Sequence, residues 1–291
     1  FEGSYAMRGS SVYQQTLNLT ISEKQKLRRL LEENYLPKNR VYRYNFFYDN
    51  CTTRARDIIE KCIEGKVVYS EGKERLSFRD IVHQYTKGHE WDELGIDMCL
   101  GSEADKPIDT RKQMFAPFYM LEAAKKATIV VGDSVRPLIL HEKKVVDVEP
   151  EDVREGFPLS PMVCVFILIG VTCFVGWLQF KIRKIIWIWD LLLFGVQGLA
   201  GCVITFLVFF STHPTVGSNW LILLLNPIPL IYLPVMVYRA IKGKKDYYHT
   251  INIVCLTSFM MIMPFIQQKF NVTVLPLALC LLICSANHVL L

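Results

Sequence analysis

The sequence predicts an α+β domain outside the membrane, followed by an all-α domain of five membrane-spanning helices. The first observation is a series of five apolar stretches after Pro158, each close to the roughly 20 residues that a helix needs to cross a bilayer. The second is a polar first half in which strand-like alternation and helical periodicity both occur. The change in composition places the domains at 1–157 and 158–291.

The apolar stretches predict membrane spans because they follow one another with few charges between them. A single such stretch is often a core helix of a soluble protein, but five in succession are typical of a membrane domain. The predicted spans are 161–180, 185–210, 219–238, 250–267 and 272–291.

Basic residues in the loops predict the orientation of the spans. Three lie between the first and second spans and four between the third and fourth. The alternate loops, 212–218 and 268–271, contain one lysine between them. The positive-inside rule places the two basic loops in the cytoplasm. Residues 1–157 and the two alternate loops are therefore expected on the outer side of the membrane.

The net charge of +5 follows the same division. Residues after 157 hold 8 of the 33 Lys and Arg but 2 of the 28 Asp and Glu, so the first domain is close to neutral. The basic excess is therefore explained by membrane topology. It does not indicate nucleic-acid binding, which needs a basic surface on the soluble domain.

The first domain is predicted to contain both strands and helices. Alternating and aromatic-rich runs predict strands over 11–17 and 39–47, and a hairpin over 130–148. Residues 88–97 are predicted to be an ordered loop. Helices are predicted to begin at Ser22 and after Asn50, and to cover 78–86 and 110–126 with a break near Pro117.

Cys51 is the main catalytic candidate because it begins a predicted helix. Asp49 or Asn50 is the predicted N-cap, and the apolar residues that follow have helical spacing. A helix N-terminus carries partial positive charge and free N–H groups, and Arg54 lies in the same turn, so a thiol there ionises more readily. A thiolate in this position suits acyl transfer through a thioester, with the N–H groups as oxyanion donors.

Two other interpretations of Cys51 stay open. It can be a small buried residue, or it can be half of a disulfide. Eleven residues of helix separate Cys51 from Cys62, a rise of about 16 Å, which is beyond bridging distance. Cys99 remains as the possible partner.

The histidines of the first domain indicate no metal site and no cofactor, because no His, Cys and Asp cluster has zinc-ligand spacing. His83 lies in a helical pattern and is expected at the surface, and His141 lies in a charged hairpin and is expected to be solvated. His89 lies in a predicted loop beside Gly88, a kind of position that often carries function. It is the downstream candidate for a catalytic base.

Three polar residues of the membrane domain are candidates for substrate binding. His213 and Asn219 lie at an outer loop, and Asn226 lies within the third span, which three prolines interrupt. Such breaks at membrane depth are tolerated where protein or a cavity covers them, so a groove for acyl chains or lipid head groups is one interpretation. Helix capping and kinking is the other.

The run at 42–58, Tyr-Arg-Tyr-Asn-Phe-Phe-Tyr-Asp-Asn-Cys-Thr-Thr-Arg-Ala-Arg-Asp-Ile, resembles the signature of a bacterial envelope family. The family is the Lnb type, the lipoprotein N-acyltransferases of Bacteroides-like bacteria. Its members pair a periplasmic domain with several C-terminal spans in the inner membrane. Further matches, which extend the resemblance over most of the chain, are at 13–20, 89–97, 212–214, 219–220 and 225–227.

The resemblance implies a papain-like thiol domain of the permuted NlpC/P60 type, in which the nucleophile, here Cys51, opens a helix packed on a small antiparallel sheet. In the permuted order the catalytic histidine precedes the cysteine, and this sequence has none before Cys51. The base is therefore expected upstream of Phe1, in a segment that follows a signal peptide, or else at His89. Residues expected to bind substrate are Tyr48, Asp49, Asn50, Thr53, Arg54, His213, Asn219 and Asn226.

The resemblance also implies the reaction. An acyl chain passes from a phospholipid to Cys51 as a thioester, and then to the α-amine of the lipid-modified N-terminal cysteine of a lipoprotein. Both substrates lie in the membrane, which fits the predicted spans. Two alternatives remain: a cysteine peptidase or amidase acting on envelope peptides with the spans as an anchor, and a non-catalytic assembly or receptor protein.

Overall fold

A computed structural model of the protein describes residues 1–70, 72, 75–148 and 157–291. The chain divides into two compact units. Unit 1 comprises Phe1–Ile81 and Pro107–Arg154, and unit 2 comprises Val82–Lys106 and Glu155–Leu291. The segment Val82–Lys106 thus clusters with the membrane helices although it precedes them in the chain. The predicted domains, 1–157 and 158–291, stay predictions.

The described residues before the first membrane helix form a series of short helices and short strands. In chain order they are α1 (Glu2–Met7), β1 (Val12–Leu17), α2 (Ile21–Tyr35), α3 (Cys51–Cys62), β2 (Lys66–Val68), α4 (Phe78–Thr86), α5 (Glu90–Cys99), α6 (Thr110–Gln113), α7 (Pro117–Lys126), β3 (Thr128–Val131), β4 (Ser134–Pro137) and β5 (Ile139–Val146). The predicted mixture of helices and strands is confirmed. The predicted break near Pro117 is confirmed too, since that proline is the first residue of α7.

Two segments differ from their predicted structure. Residues 39–47 form no strand, and a single backbone bridge joins Asn45 to Asp49. The aromatic side chain of Phe47 is buried against Phe78 of α4, so the aromatic run serves packing rather than sheet pairing. Most of the predicted loop at 88–97 belongs to α5, because Gly88, with φ +86°, ends the preceding turn and lets a new helix begin.

Unit 1 contains two small antiparallel sheets. One pairs β1 with β5, and the other has the order β2-β3-β4. The last turn of α3 packs on them, since Cys62 and Ile63 share a buried cluster with Ile129 of β3 and with Leu138. The helix that begins at Cys51 is therefore anchored at its far end by the hydrophobic core.

A buried ion pair joins α2 to β4 in unit 1. The carboxylate of Glu23, which is fully buried, accepts hydrogen bonds from Arg136 at 2.6 Å and from the backbone N–H groups of Thr20 and Glu64 at 2.8 and 2.9 Å. Burial opposes ionisation, yet these bonds and the charge of Arg136 together lower the pKa of Glu23. The pair therefore contributes its stability while Glu23 is ionised.

The membrane part of unit 2 is built from helices joined by short non-helical segments. Its helices are α8 (Pro161–Ile182), α9 (Trp187–Phe210), α10 (Pro214–Gly217), α11 (Ile228–Ile241), α12 (Tyr247–Ile262) and α13 (Val274–Leu290). Four segments of the described chain are long and apolar enough to cross a membrane, namely Pro161–Ile182, Trp187–Phe210, Pro214–Ile241 and Tyr247–Phe265. The apolar helix α13 has 17 residues, so the count of five spans stays a prediction.

The third span is interrupted between α10 and α11, and protein covers the break. A Cβ built on Gly201 would lie 2.2 Å from the backbone carbon of Asn226, and one on Gly198 would lie 2.5 Å from the Cβ of Leu230. Gln197 donates a hydrogen bond to the Leu224 carbonyl at 2.8 Å. At these two glycines α9 therefore lies directly against the irregular backbone of the third span.

Candidate thiol site

Asn50 caps α3 and thereby fixes the position of Cys51. Its Oδ1 accepts from the Thr53 N–H at 2.9 Å, and the Thr53 hydroxyl accepts from the Asn50 N–H at 2.8 Å, which is a reciprocal capping box. The side-chain amide of Asn50 also donates to the carbonyls of Phe46 and Phe115, both at 2.9 Å. Of the two predicted caps, Asn50 is therefore the one that the structure uses.

Asp49 and Arg54 form an ion pair near Cys51 in the sequence. Its carboxylate accepts two hydrogen bonds from the guanidinium, at 2.7 and 3.1 Å, and the guanidinium carbon lies 3.4 Å from the centre of the Tyr42 ring. The hydrogen bond to Asp49 raises the pKa of Arg54. Because both charged side chains are partly exposed, the pair orders this surface more than it stabilises the fold.

The turn before α3 is held by Asn45. Its side-chain oxygen accepts from the backbone N–H groups of Phe47 and Tyr48 at 3.2 and 3.1 Å, and its backbone exchanges two 3.0 Å bonds with Asp49. With Phe47 buried, the backbone that leads to Cys51 is anchored on both sides.

Cys51 is exposed at the start of α3. Its Sγ lies 3.9 Å from the Thr52 hydroxyl. Within the described chain, no acceptor takes the backbone N–H of Cys51 or Thr52, so both groups are available to an oxyanion. Tyr44 lies close to the thiol, since burial and then negative charge at Cys51 raise the pKa of its phenol.

The disulfide interpretation of Cys51 is wrong, because all nine cysteines of the chain are free. Burial and the nearby Glu23 carboxylate raise the pKa of Cys62, and burial raises that of Cys99. Both therefore remain protonated thiols at neutral pH. Of the three cysteines outside the membrane helices, Cys51 is the exposed one.

The structure gives the local geometry of two histidines that the sequence singles out. His89, in unit 2, immediately precedes α5, and its half-exposed ring lies 3.9 Å from the Asp92 carboxylate. His141 is the histidine of unit 1, on β5 opposite Thr16, and no hydrogen bond or ion pair of the described residues joins it to Cys51. A role of His89 as base stays a prediction.

His83, Glu93 and Asp97 come together in unit 2, although their sequence spacing suggests no metal site. Their ligand atoms all lie within 4.8 Å of one another, a set of donors that a divalent cation accepts. His83 Nε2 lies 2.8 Å from Asp97, Asn271 donates to Asp97 at 3.0 Å, and Thr86 donates to Glu93 at 3.1 Å. These hydrogen bonds form without a metal. They make His83 the partner of a buried carboxylate, while its side chain remains 34% exposed.

Asn219 is buried and fully engaged within unit 2. Its amide donates to the Met98 carbonyl at 2.7 Å, and its oxygen accepts from the Leu221 N–H at 3.0 Å and from Gln268 at 2.9 Å. Gln268 also donates to the Leu100 carbonyl at 3.2 Å. These bonds fasten the end of α5 to the outer loops of the membrane helices. They match the capping interpretation, and substrate binding by Asn219 stays a prediction.

His213 and Asn226 occupy helix starts in unit 2. His213 directly precedes α10, and its backbone N–H donates to the Ser211 hydroxyl at 3.2 Å. The side-chain oxygen of Asn226 accepts from the Ile228 N–H at 3.1 Å, at the first turn of α11. The Asn226 side chain fits the capping interpretation, whereas the His213 side chain forms no capping hydrogen bond among the described residues. The predicted contact of both residues with substrate stays a prediction.

Three residues that support the thiol are absent from the sequence-based predictions. Asn45 carries a usable signal, because an asparagine whose side chain bonds the backbone two residues on is typical of a turn. Tyr44 lies in the aromatic run but has no pattern that points to the thiol. Phe115 carries no signal at all, since its carbonyl meets Asn50 across 65 positions of sequence.

Family comparison links this geometry to known sequences. A family model described as the Lnb N-terminal periplasmic domain matches residues 3–87, and so includes Cys51. A second, described as the Lnb transmembrane domain, matches residues 152–291. The chain belongs to the Lnb family. The predicted family is therefore confirmed, and this Lnb protein is a membrane protein with a periplasmic N-terminal domain. No curated protein and no solved structure matches the chain.

The N-cap of α3 leads to a measurable expectation for this Lnb protein. Asn50→Ala should destabilise unit 1 by roughly 2–4 kcal/mol, because it removes a cap worth about 1 kcal/mol and leaves the Phe115 carbonyl without its partner. Asn50→Asp keeps the acceptor for Thr53 and should lose less. Thr20→Ala, which removes an exposed cap of α2, is the matched control at about 1 kcal/mol.

Hydrogen exchange followed by mass spectrometry reports these losses helix by helix. Peptides from α3 should exchange fastest in Asn50→Ala, and peptides from α2 in Thr20→Ala. Equal protection of α3 in the wild type and in Asn50→Ala would show that this side chain does not hold the helix.

Proposed function

We propose that this Lnb-family protein is a membrane-bound acyltransferase whose nucleophile is Cys51. In the first step an acyl chain moves from a phospholipid to the thiol as a thioester. In the second it moves to the α-amine of the lipid-modified N-terminal cysteine of a lipoprotein. One observation carries the proposal: an exposed thiol at a capped helix start, with two free N–H groups, in a chain of the Lnb family.

The chemistry of both steps balances without a cofactor. The Cys51 thiolate attacks the ester carbonyl, the oxyanion faces the N–H groups of Cys51 and Thr52, and the lysophospholipid leaves as an alcohol after taking a proton. The lipoprotein amine then attacks the thioester carbonyl, the thiolate leaves, and an amide forms.

A general base must take the thiol proton in the first step and the amine proton in the second. The permuted order leads us to expect a histidine that precedes the cysteine, and His89 is the candidate for the role within this sequence. His89→Ala distinguishes the two, since loss of thioester formation supports His89 and its retention supports the alternative.

The immediate surroundings of Cys51 suit an acyl chain. Tyr44, Phe46 and Tyr48 are large, exposed side chains of the segment that leads to the thiol. Exposed aromatic side chains gather where an apolar ligand or a membrane surface is contacted. We assign the acyl chain to this surface, and the polar head group to the side of Asp49 and Arg54.

We infer a papain-like domain of the permuted NlpC/P60 type for the soluble part and five spans for the membrane part. The first inference is supported by α3, which begins at the thiol and packs by its last turn on antiparallel sheets. The second is supported by α13, because its 17 residues reach the lower limit for crossing a bilayer. A periplasmic domain and basic inner loops favour the bacterial inner membrane.

Trapping of the thioester tests the function. Full-length protein incubated with a phospholipid labelled in its acyl chain should become labelled, and neutral hydroxylamine should release the label. Cys51→Ala should stay unlabelled. Label on Cys51→Ala, or label that resists hydroxylamine, contradicts the thioester.

The acceptor separates the transferase from the hydrolase. A diacylated lipopeptide added to the labelled protein should receive the label on its amine, as an amide seen by mass spectrometry. Release as free fatty acid, with no amide, would favour the amidase or peptidase class.

A further inference from the structure

A large cavity lies among the helix ends that face the cytoplasm. Its volume is about 820 Å³, and it is bounded by the connection from α8 to α9, the connection from α11 to α12, and the end of α13. Because α8 follows the periplasmic domain, its C-terminal end and these two connections lie on the cytoplasmic side. Five basic residues line the cavity: Arg183, Lys184, Lys242, Lys244 and Lys245.

The positive charge of this cavity is not neutralised by protein carboxylates. Across the part of the chain that the structure describes, none of the five basic side chains forms an ion pair. The acidic residue of the lining, Asp246, has a buried side chain that is engaged through one carboxylate oxygen, while its Oδ2 has no hydrogen-bond partner among the described residues. Its Oδ1 accepts from the Tyr232 hydroxyl and from the Tyr248 N–H, both at 3.0 Å, with Arg239 at 3.8 Å. The cavity therefore attracts anions.

Apolar side chains line the cavity beside the basic ones. Ile185, Met236 and Ile241 contribute to its wall, together with the ring of His288. His288 Nε2 lies 2.8 Å from the fully buried carboxylate of Asp190, which fixes the ring in the wall. A lining that is partly cationic and partly apolar matches the two halves of a phospholipid.

The ring of His249 stacks on the ring of His288 and helps to hold it in place. The His249 ring lies 3.7 Å from the His288 ring, centre to centre, and His249 is fully buried. Asp190, His288 and His249 therefore form one packed polar cluster between α9, α12 and α13. The cluster positions the cavity wall and keeps the three helix ends together.

We propose that this cavity binds the head group of an anionic phospholipid from the cytoplasmic leaflet. The positive-inside rule alone requires basic loops, but it does not require two loops and a helix end to enclose one cavity with a partly apolar lining. Lysine and arginine donors suit a phosphodiester, and basic pockets between membrane helices on this side hold anionic head groups. The bound lipid lies across the membrane from the periplasmic domain of Cys51, so it is distinct from the acyl donor.

Matched charge removals test the proposal on the full-length protein. Lys245→Gln removes a lining charge, and Lys181→Gln removes one from the same side of the membrane that lies outside the lining, near Trp177. Native mass spectrometry with phosphatidylglycerol should show about fivefold weaker binding for Lys245→Gln, and roughly a hundredfold for the triple variant with Lys184→Gln and Lys242→Gln. Lys181→Gln should bind as the wild type does, and phosphatidylcholine should bind weakly to all.

Three results would overturn the assignment. Equal losses in Lys181→Gln and Lys245→Gln would mean diffuse attraction of a basic surface. Equal retention of phosphatidylcholine and phosphatidylglycerol would mean that charge is not recognised. Displacement of the lipid by inorganic phosphate would mean a soluble phosphate ligand. The melting temperature of each variant without added lipid checks that it is folded. If Lys245→Gln melts at a lower temperature than the wild type, Lys242→Gln replaces it as the single variant.

Discussion

Replacing Cys51 with alanine is expected to abolish N-acylation of lipoproteins and to leave the protein folded in the membrane. The thiol is exposed and its nearest polar contact is 3.9 Å away, so its removal leaves packing intact. Loss of a covalent nucleophile lowers the rate by at least about a thousandfold in enzymes that depend on one. Mass spectrometry of lipoprotein N-termini, in cells that rely on this protein, measures the loss.

Two other cysteines make the comparison specific. Cys202→Ala removes an exposed thiol from α9 and should leave N-acylation unchanged. Cys62→Ala removes a fully buried thiol and should lower stability, with activity falling only as the folded fraction falls. Normal N-acylation by Cys51→Ala at wild-type abundance would exclude the thioester route.

Glu23→Gln is expected to destabilise unit 1 by about 3 kcal/mol, the loss typical of removing one partner from a buried ion pair. The fully buried carboxylate has three donors, and glutamine can satisfy them only in part. Glu32→Gln is the matched control on the same helix. Its partner Arg28 is 81% exposed, so we expect a change within about 0.5 kcal/mol.

The pH dependence of this pair follows from the lowered pKa of Glu23 in the folded protein. Its contribution is fully present above the unfolded value of about 4.3 and is lost as pH falls through the lower folded value. Wild-type stability should therefore fall in acid more steeply than that of Glu23→Gln. Parallel pH profiles for the two proteins would show that Glu23 is not the group responsible.

The measurement needs a reporter inside unit 1, because all five tryptophans belong to unit 2. Cys62 is such a reporter, since it is fully buried in the same core that α2 covers. Its labelling by a dithiodipyridine, which reacts in acid as well as at neutral pH, follows opening of the core. Mass spectrometry of the labelled peptide separates Cys62 from the other thiols.

Local patterns predict the start of α3 correctly. An asparagine cap and apolar residues at helical spacing favour a helix through contacts within its own first turns, so they can be read from the local sequence. The error at 88–97 has a local reason as well. Gly88 suggests a loop, whereas the three acidic residues in the first turn of α5 are a helix-start signal.

Distant contacts explain the other differences. The aromatic run at 39–47 alternates like a strand, but Phe47 packs on Phe78 and Phe115, which no local pattern shows. Asn219 looks like a polar residue at a membrane surface, and its bond to Met98 spans 121 positions of sequence. Contacts of this kind depend on which segments the complete fold brings together.

The hydrogen bonds of the α3 cap differ in how far apart their partners lie in the sequence. Asn50 can bond Thr53 as soon as the helix forms, but its second amide bond waits for Phe115, which lies 65 residues later. A chain that is still being exported therefore presents Cys51 on a helix end whose support is incomplete. The setting of Cys51 is therefore complete only once the segment that contains α6 and α7 has packed against the start of α3.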